Sequence, residues 1–191
     1  MSVYDLIVKR RTIRSFEQKP IAPDLLKKIT NAGRLAPSGA NLQPLEFLVI
    51  TEQSLLGKVF ATLKWAAYIA PAGDPPSDKR PTAYIIVLIN TEIKKEKGEV
   101  DAAAAIENMI LTALEEDVGT CWLGSINRQE IRGLFSIPDN YRIDSVVAFG
   151  YPSEFPVVEV ADNSIKYWKD ENGLLHVPKR RLEDIVHFNK F

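Results

Sequence analysis

The sequence predicts a mixed α and β domain: a sheet covered by helices on both faces, followed by an extended tail. Three observations predict it. Short apolar runs rich in β-branched residues alternate with stretches in which apolar residues recur every three or four positions. One of the helical stretches is apolar on most of its sides, which calls for burial. From Tyr151 onward both patterns fade and Pro152, Pro156 and Pro178 appear. At 191 residues, with 46% hydrophobic and 26% charged, the chain suits one domain with a sizeable core, residues 1–191.

The elements follow in order. Ser2 and Asp5 stand in capping-box spacing ahead of Leu6 and Ile7, predicting a short helix up to Lys9. Pro23 suits a first helical turn, and Leu25, Leu26, Ile29 and Ala32 form one apolar face of a helix that ends near Pro37. Leu45 to Thr51 and Ala83 to Asn90 read as buried strands, and between them Ala70 to Pro81 reads as a long loop. Trp65 and Tyr68, three apart on a prospective helix, read as core or interface. Lys94 to Lys97 (KKEK) read as a solvated helix start, before a long central helix over Val100 to Asp117. That helix carries Ala104, Ile106, Met109, Ile110 and Leu114 and is expected to be buried all round. Cys121 to Leu123 and Ile143 to Phe149 complete the strands, with a helix around Arg128 to Leu134. The tail, 151–191, lacks the periodicity for a core of its own and reads as an arm that packs on something else.

A formal charge of −1 provides no global field for nucleic acid or an anionic membrane, and no basic stretch is interleaved with aromatic residues. No run approaches the roughly 18 apolar residues needed to cross a bilayer. One cysteine, Cys121, excludes an intrachain disulfide, and the N-terminus is too short in its apolar part for a signal peptide. A reducing, cytoplasmic setting is the expectation. Cys121 itself reads as an inert core residue. His176 and His187 have no carboxylate or cysteine at ligand spacing, so no metal site is expected.

Chemistry gathers in two basic clusters and one loop. Four of the six residues in KRRTIR, Lys9 to Arg14, are basic, and Thr12 adds a hydroxyl; Lys179, Arg180 and Arg181 form a second cluster near the other end. Each costs self-repulsion that an anion between them would relieve, and guanidinium forks suit phosphate oxygens. The alternative is two solvated faces. Ala36 to Pro44 (APSGANLQP) is a proline-bounded loop dense in hydrogen-bonding groups, either a helix-to-strand turn or a binding loop.

Together, RRTIRSF at Arg10 to Phe16 and APSGANLQP some twenty residues later resemble the N-terminal signature of the nitroreductase family of FMN enzymes. Asn108 on the central helix, GTCWLGSI at Gly119 to Ile126, the stretch Leu134 to Pro152 and KRRL at Lys179 to Leu182 continue the resemblance over nearly the whole chain. Leu45, after Gln43-Pro44, stands where many relatives have an aromatic residue, which bears on the substrate pocket.

The resemblance implies an α+β fold of the nitroreductase type, a mainly antiparallel sheet flanked by helices with an extended C-terminal arm. It implies a homodimer with shared active sites, joined through the central helices. Arg10, Arg11 and Thr12 would lie along the ribityl chain and phosphate, with Lys179 and Arg181 closing on the phosphate. Arg14 would reach the ring, where a fixed cation stabilises negative charge that appears on reduction. Pro37, Ser38, Gly39 and Asn41 would approach the partner's flavin, and the backbone of Leu123 and Gly124 would lie near flavin N5. No side chain is needed as acid, base or nucleophile, since the flavin carries the hydride. NADH or NADPH would reduce FMN and a small acceptor, such as a nitroaromatic or quinone, would take the electrons in ping-pong fashion. Other activities on the same scaffold are reductive dehalogenation and flavin destruction. A non-enzymatic protein binding an anion or nucleic acid would instead be colourless.

Overall fold

The computed structural model describes every residue, Met1–Phe191. Its centre is a four-stranded antiparallel sheet, order β1-β2-β4-β3, built from β1 (Leu45–Ile50), β2 (Ala83–Asn90), β3 (Gly119–Leu123) and β4 (Tyr141–Gly150). β2 is buried from Ala83 to Ile89 because helices lie on both its faces, as its unbroken apolar run requires. On one face α2 (Pro23–Arg34) and α4 (Gly98–Glu115) bury Leu26, Ile29, Ile106 and Met109 against Ile85, Val87 and Val147. On the other, α3 (Gln53–Ala61) and α5 (Arg128–Phe135) bury Leu56, Val59 and Ile131 against Tyr84, Ile86 and Val146. Each such fully buried side chain contributes about 1.5–3 kcal/mol. The short α1 (Val3–Lys9) opens with the expected capping box and buries only Leu6.

The structure corrects three readings and adds a small sheet to the arm. α3 carries no predicted counterpart, although Leu55, Leu56, Val59 and Phe60 stand at helical spacing. α4 is buried along one side only: Val100 and Glu107 are exposed and Ala104, Leu111 and Leu114 half-buried. Lys94 is not solvated. Its ammonium lies 2.7 Å from Asp101 of α4, with side chains 15% and 4% exposed, and the helix begins after Lys97. The tail, finally, pairs with itself. β5 (Val157–Val160) runs parallel to β7 (Leu175–Lys179), and β6 (Trp168–Lys169) runs antiparallel to β7. Little is buried there beyond Leu175 and Pro178.

Candidate functional site

The basic segment after α1 is held as an extended strand beside β3. Ile13 donates its N–H to the Thr120 carbonyl at 2.9 Å, and Thr12 bridges Thr120. This approach needs a glycine at the start of β3, since a Cβ on Gly119 would stand 2.9 Å from Ile13 Cγ1. Ile13 turns into the core, and Arg14, next along an extended backbone, faces a cavity of about 590 Å³. The Arg14 N–H donates to the Glu154 carboxylate, which fixes the segment from the other side.

Two further pieces of chain wall that cavity. The end of β3 brings Trp122, Leu123 and Gly124; the stretch after α3 brings Lys64 and Trp65. Lys64 N–H to the Ser125 carbonyl at 3.0 Å and Asn127 N–H to the Thr62 carbonyl at 2.8 Å bind the two stretches edge to edge. Trp65 is buried and stacks on Phe60, centroids 5.5 Å apart, while Tyr68 on the following turn is exposed and meets Tyr167 of the arm at 4.9 Å. The core reading therefore holds for Trp65 alone.

Donors around the cavity lack partners. Arg14 Nε and Trp65 Nε1 are buried and make no hydrogen bond, and Arg11 Nε is in the same state nearby. Buried polar groups of native proteins are nearly always paired, so such donors mark where a ligand's acceptors belong. A cavity of this volume, with an apolar wall, one fixed cation and unpaired ring and guanidinium N–H groups, fits a planar polar heterocycle such as a flavin ring. Beneath Arg14, burial pushes the Cys121 thiol up to about 12 against the pull of the arginine. It stays protonated at neutral pH and unreactive, as its place in the apolar strand suggests.

Arg10 and Arg11 line a second groove, of about 390 Å³, with Thr120, Glu154 and Phe155. Arg11 donates to the carbonyls of Val8 at 2.9 Å and Arg10 at 2.5 Å. Burial and the neighbouring Arg10 lower its pKa, as expected of a crowded cation without an anion.

The other sequence-predicted residues lie apart. Pro37 and Ser38 line a small separate cavity of about 150 Å³. Their loop is rigid: Ser38 Oγ accepts from Gln43 N–H at 3.0 Å, and Asp101, holding Lys94, also accepts from Gly39 N–H at 3.2 Å. Ala40, Asn41 and Gln43 sit at φ of 51°, 55° and 51°, left-handed backbone that non-glycine residues enter at a cost of about 1–3 kcal/mol each when the surroundings impose it. Lys179 ends β7, and Arg181 donates to Asp162 at 3.1 Å; neither lines the Arg14 cavity or the Arg10 groove. Within one chain, then, Arg14, Leu123 and Gly124 converge, Arg10 and Arg11 adjoin them, and Ser38, Asn41, Lys179 and Arg181 do not join them. Lys64 and Trp65 line the cavity and Tyr167 packs on Arg14, and sequence reasoning assigned none of the three to the site; for Tyr167 there is no local signal.

Known proteins share this architecture. Residues 7–151 match the Nitroreductase family. An Archaeoglobus fulgidus protein, provisionally named NADH dehydrogenase/NAD(P)H nitroreductase, is 31% identical over 193 residues, covering 97% of both chains. Among solved structures, a provisionally named nitroreductase in complex with FMN from Desulfovibrio desulfuricans superposes with a TM-score of 0.73 at 24% identity, over 100% of this chain and 98% of its own. An FMN-dependent nitroreductase from Clostridium difficile superposes at 0.70, also with 24% identity, over 97% and 98%. The match spans the arginine-rich strand, the strained loop, the central helix and the cavity-lining end of β3, and by it the chain belongs to the nitroreductase family.

Proposed function

We propose that this protein is an FMN-dependent oxidoreductase that uses NADH or NADPH to reduce small acceptors such as nitroaromatics and quinones, and that it works as a homodimer with shared active sites in a reducing, cytoplasmic setting. One observation carries the cofactor reading: the cavity that brings Arg14, Leu123 and Gly124 together leaves the buried Nε of Arg14 and Nε1 of Trp65 without partners. The names of the relatives point the same way. Bound FMN would supply the hydride chemistry, from NAD(P)H to flavin to acceptor.

The residues supply position and field. Arg14 places a cation where the reduced ring gains negative charge, and Arg10 and Arg11 present donors for the phosphate end. Leu63, Trp65, Cys121 and Leu123, which line the cavity, would exclude water from a ring held there. If the bound ring offered one face to solvent, the nicotinamide and the acceptor would have to take turns there, giving a ping-pong order.

The dimer reading rests on apolar surface that one chain leaves uncovered. Val3, Tyr4, Ile7 and Val8 of α1, Val100 of α4, and Leu182, Ile185 and Phe188 of the arm are all exposed. A groove of about 760 Å³ between α2 and the unpaired edge of β1, lined by Ile21, Leu26, Leu45 and Phe47, offers an arm from the partner a place to lie.

The deciding experiment is the absorbance spectrum of the purified protein, with mass spectrometry of whatever heat releases. FMN in near-equimolar amount and its bleaching by NADH or NADPH are expected. A colourless protein that takes up no added FMN would overturn the reading. With FMN bound, acceptor profiling separates nitro and quinone reduction from dehalogenation or flavin destruction.

A further inference from the structure

The arm of the same chain meets one cavity-lining residue, Arg14. Tyr167, just before β6, lies with its ring 5.1 Å from the Arg14 guanidinium carbon, and its hydroxyl accepts the Tyr68 N–H at 3.4 Å. Its ring also meets that of Tyr68 at 4.9 Å, and Lys166 lies 5.8 Å from the Tyr68 ring on the far side. Elsewhere Arg14 is tied by its backbone N–H to Glu154 and by its guanidinium to the Cys121 sulfur beneath it, while its Nε is buried without a partner. The Tyr167 ring is the restraint that the arm adds on where the positive charge sits.

We propose that Tyr167 is a positioning residue that holds the Arg14 guanidinium against the cavity and so sets how strongly the site favours reduced over oxidised flavin. The proposal rests on the FMN reading of that cavity. A cation on an aromatic face is attracted by the ring's quadrupole and loses freedom to swing toward solvent. Without the ring, Arg14 would sample orientations in which its charge is hydrated and remote from the flavin, and its preference for the reduced form would fall. Because the arm carries Tyr167, Lys179 and Arg181 together, its docking and the electron affinity of the site are coupled.

The test is potentiometry of the flavin-loaded protein. Tyr167→Leu should move the midpoint potential to more negative values, equivalent to a weakening of the reduced-over-oxidised preference by about two- to fivefold, the reach of one cation–π contact. Tyr167→Phe, which keeps the ring, should stay at the wild-type value. In an Arg14→Met background, itself more negative than wild type, Tyr167→Leu should add nothing. In the flavin-free protein the Arg14 Nε–H resonance should shift in Tyr167→Leu and not in Tyr167→Phe. A midpoint potential that Tyr167→Leu leaves unmoved, or moves equally with and without Arg14, would overturn the proposal while FMN binding stood. A wild type that takes up no flavin would overturn the FMN reading and this inference with it.

Discussion

At the scale of single residues, crowded positive charge is the most informative feature. Arg10 and Arg11 are adjacent, Arg11 is pressed into the protein far enough to lower its pKa, and its buried Nε has no acceptor. Arg181, from the other cluster, is meanwhile paired with the exposed Asp162. If both clusters read a phosphate, Arg10→Ala or Arg181→Ala should weaken FMN binding by about 1.5–3 kcal/mol per lost charge-assisted contact. Riboflavin, lacking the phosphate, should bind nearly as before, and titration of both ligands checks it; equal losses would mean that these residues do not recognise the phosphate. The sequence pointed to the arginines through the resemblance of RRTIRSF and APSGANLQP to the family signature, since two basic clusters by themselves read as well as solvated faces. It could not show that Trp65 lines the cavity or that Tyr167 covers Arg14, since both depend on contacts across most of the chain.

Among the elements, those with strong local periodicity were legible and those defined by partners were not. α2, β1, β2, α5 and β4 lie within a few residues of where apolar spacing put them, because each buries one face or both against the central sheet. α3 escaped because Gly57 interrupts a short helix whose N-cap, Glu52, makes no capping bond. The arm's sheet escaped because β5 and β7 pair in parallel across some twenty residues, with Pro178 inside β7.

Lys94 escaped for a different reason. KKEK looks like a solvated face, yet Lys94 and Asp101 form a pair at 2.7 Å that is nearly out of water, and the same Asp101 holds the Gly39 N–H of the strained loop. Asp101→Asn should cost about 3 kcal/mol, the low end for removing one partner of a buried ion pair, and should loosen residues 38–43. Denaturant unfolding and amide exchange check the two parts; a change below about 0.5 kcal/mol, the level of a surface substitution, would show the pair to be solvated.

The arm has its own pH dependence. His176 Nδ1 stands 3.0 Å from Glu159 and its Nε2 3.6 Å from Asp170, with Trp168 stacked on the ring at 4.2 Å. A hydrogen bond from Trp168, and then His176, lowers the Glu159 pKa; the Leu174 backbone N–H, foremost, lowers that of Asp170. Carboxylates with depressed folded pKa values contribute stability that is present above their ordinary values, 4.5 and 3.8, and is lost as pH falls through the folded ones. Amide protection in β5 and β7, corrected for intrinsic exchange rates, should therefore fall as pH drops below about 4.5 while protection in β2 persists. Protection that stays level in all three strands would show that these carboxylates do not hold the arm.

For the whole molecule, the question is what completes a site that one chain leaves divided. Arg14, Leu123 and Gly124 share a cavity, but Ser38 and Asn41 stand on a rigid loop elsewhere, and apolar residues of α1, α4 and the arm face solvent. In the proposed homodimer a twofold partner would cover that surface and let the loop of one chain serve the flavin of the other. Stable interfaces of this kind commonly bury more than about 2,000 Å² in total, and the folded monomer is then often not populated. An Arg10→Ala/Arg181→Ala chain refolded with an Asn41→Ala chain should accordingly give heterodimers in which one site carries every defect and the other is intact. Such a species should retain roughly half the flavin of the wild-type dimer, while either mutant homodimer is impaired at both sites. Flavin content of the isolated, differentially tagged heterodimer is the measurement, alongside sedimentation of the wild type. Two equally impaired sites would mean that each chain builds its flavin site alone, and a flavin-loaded wild-type monomer would remove the need for a partner altogether.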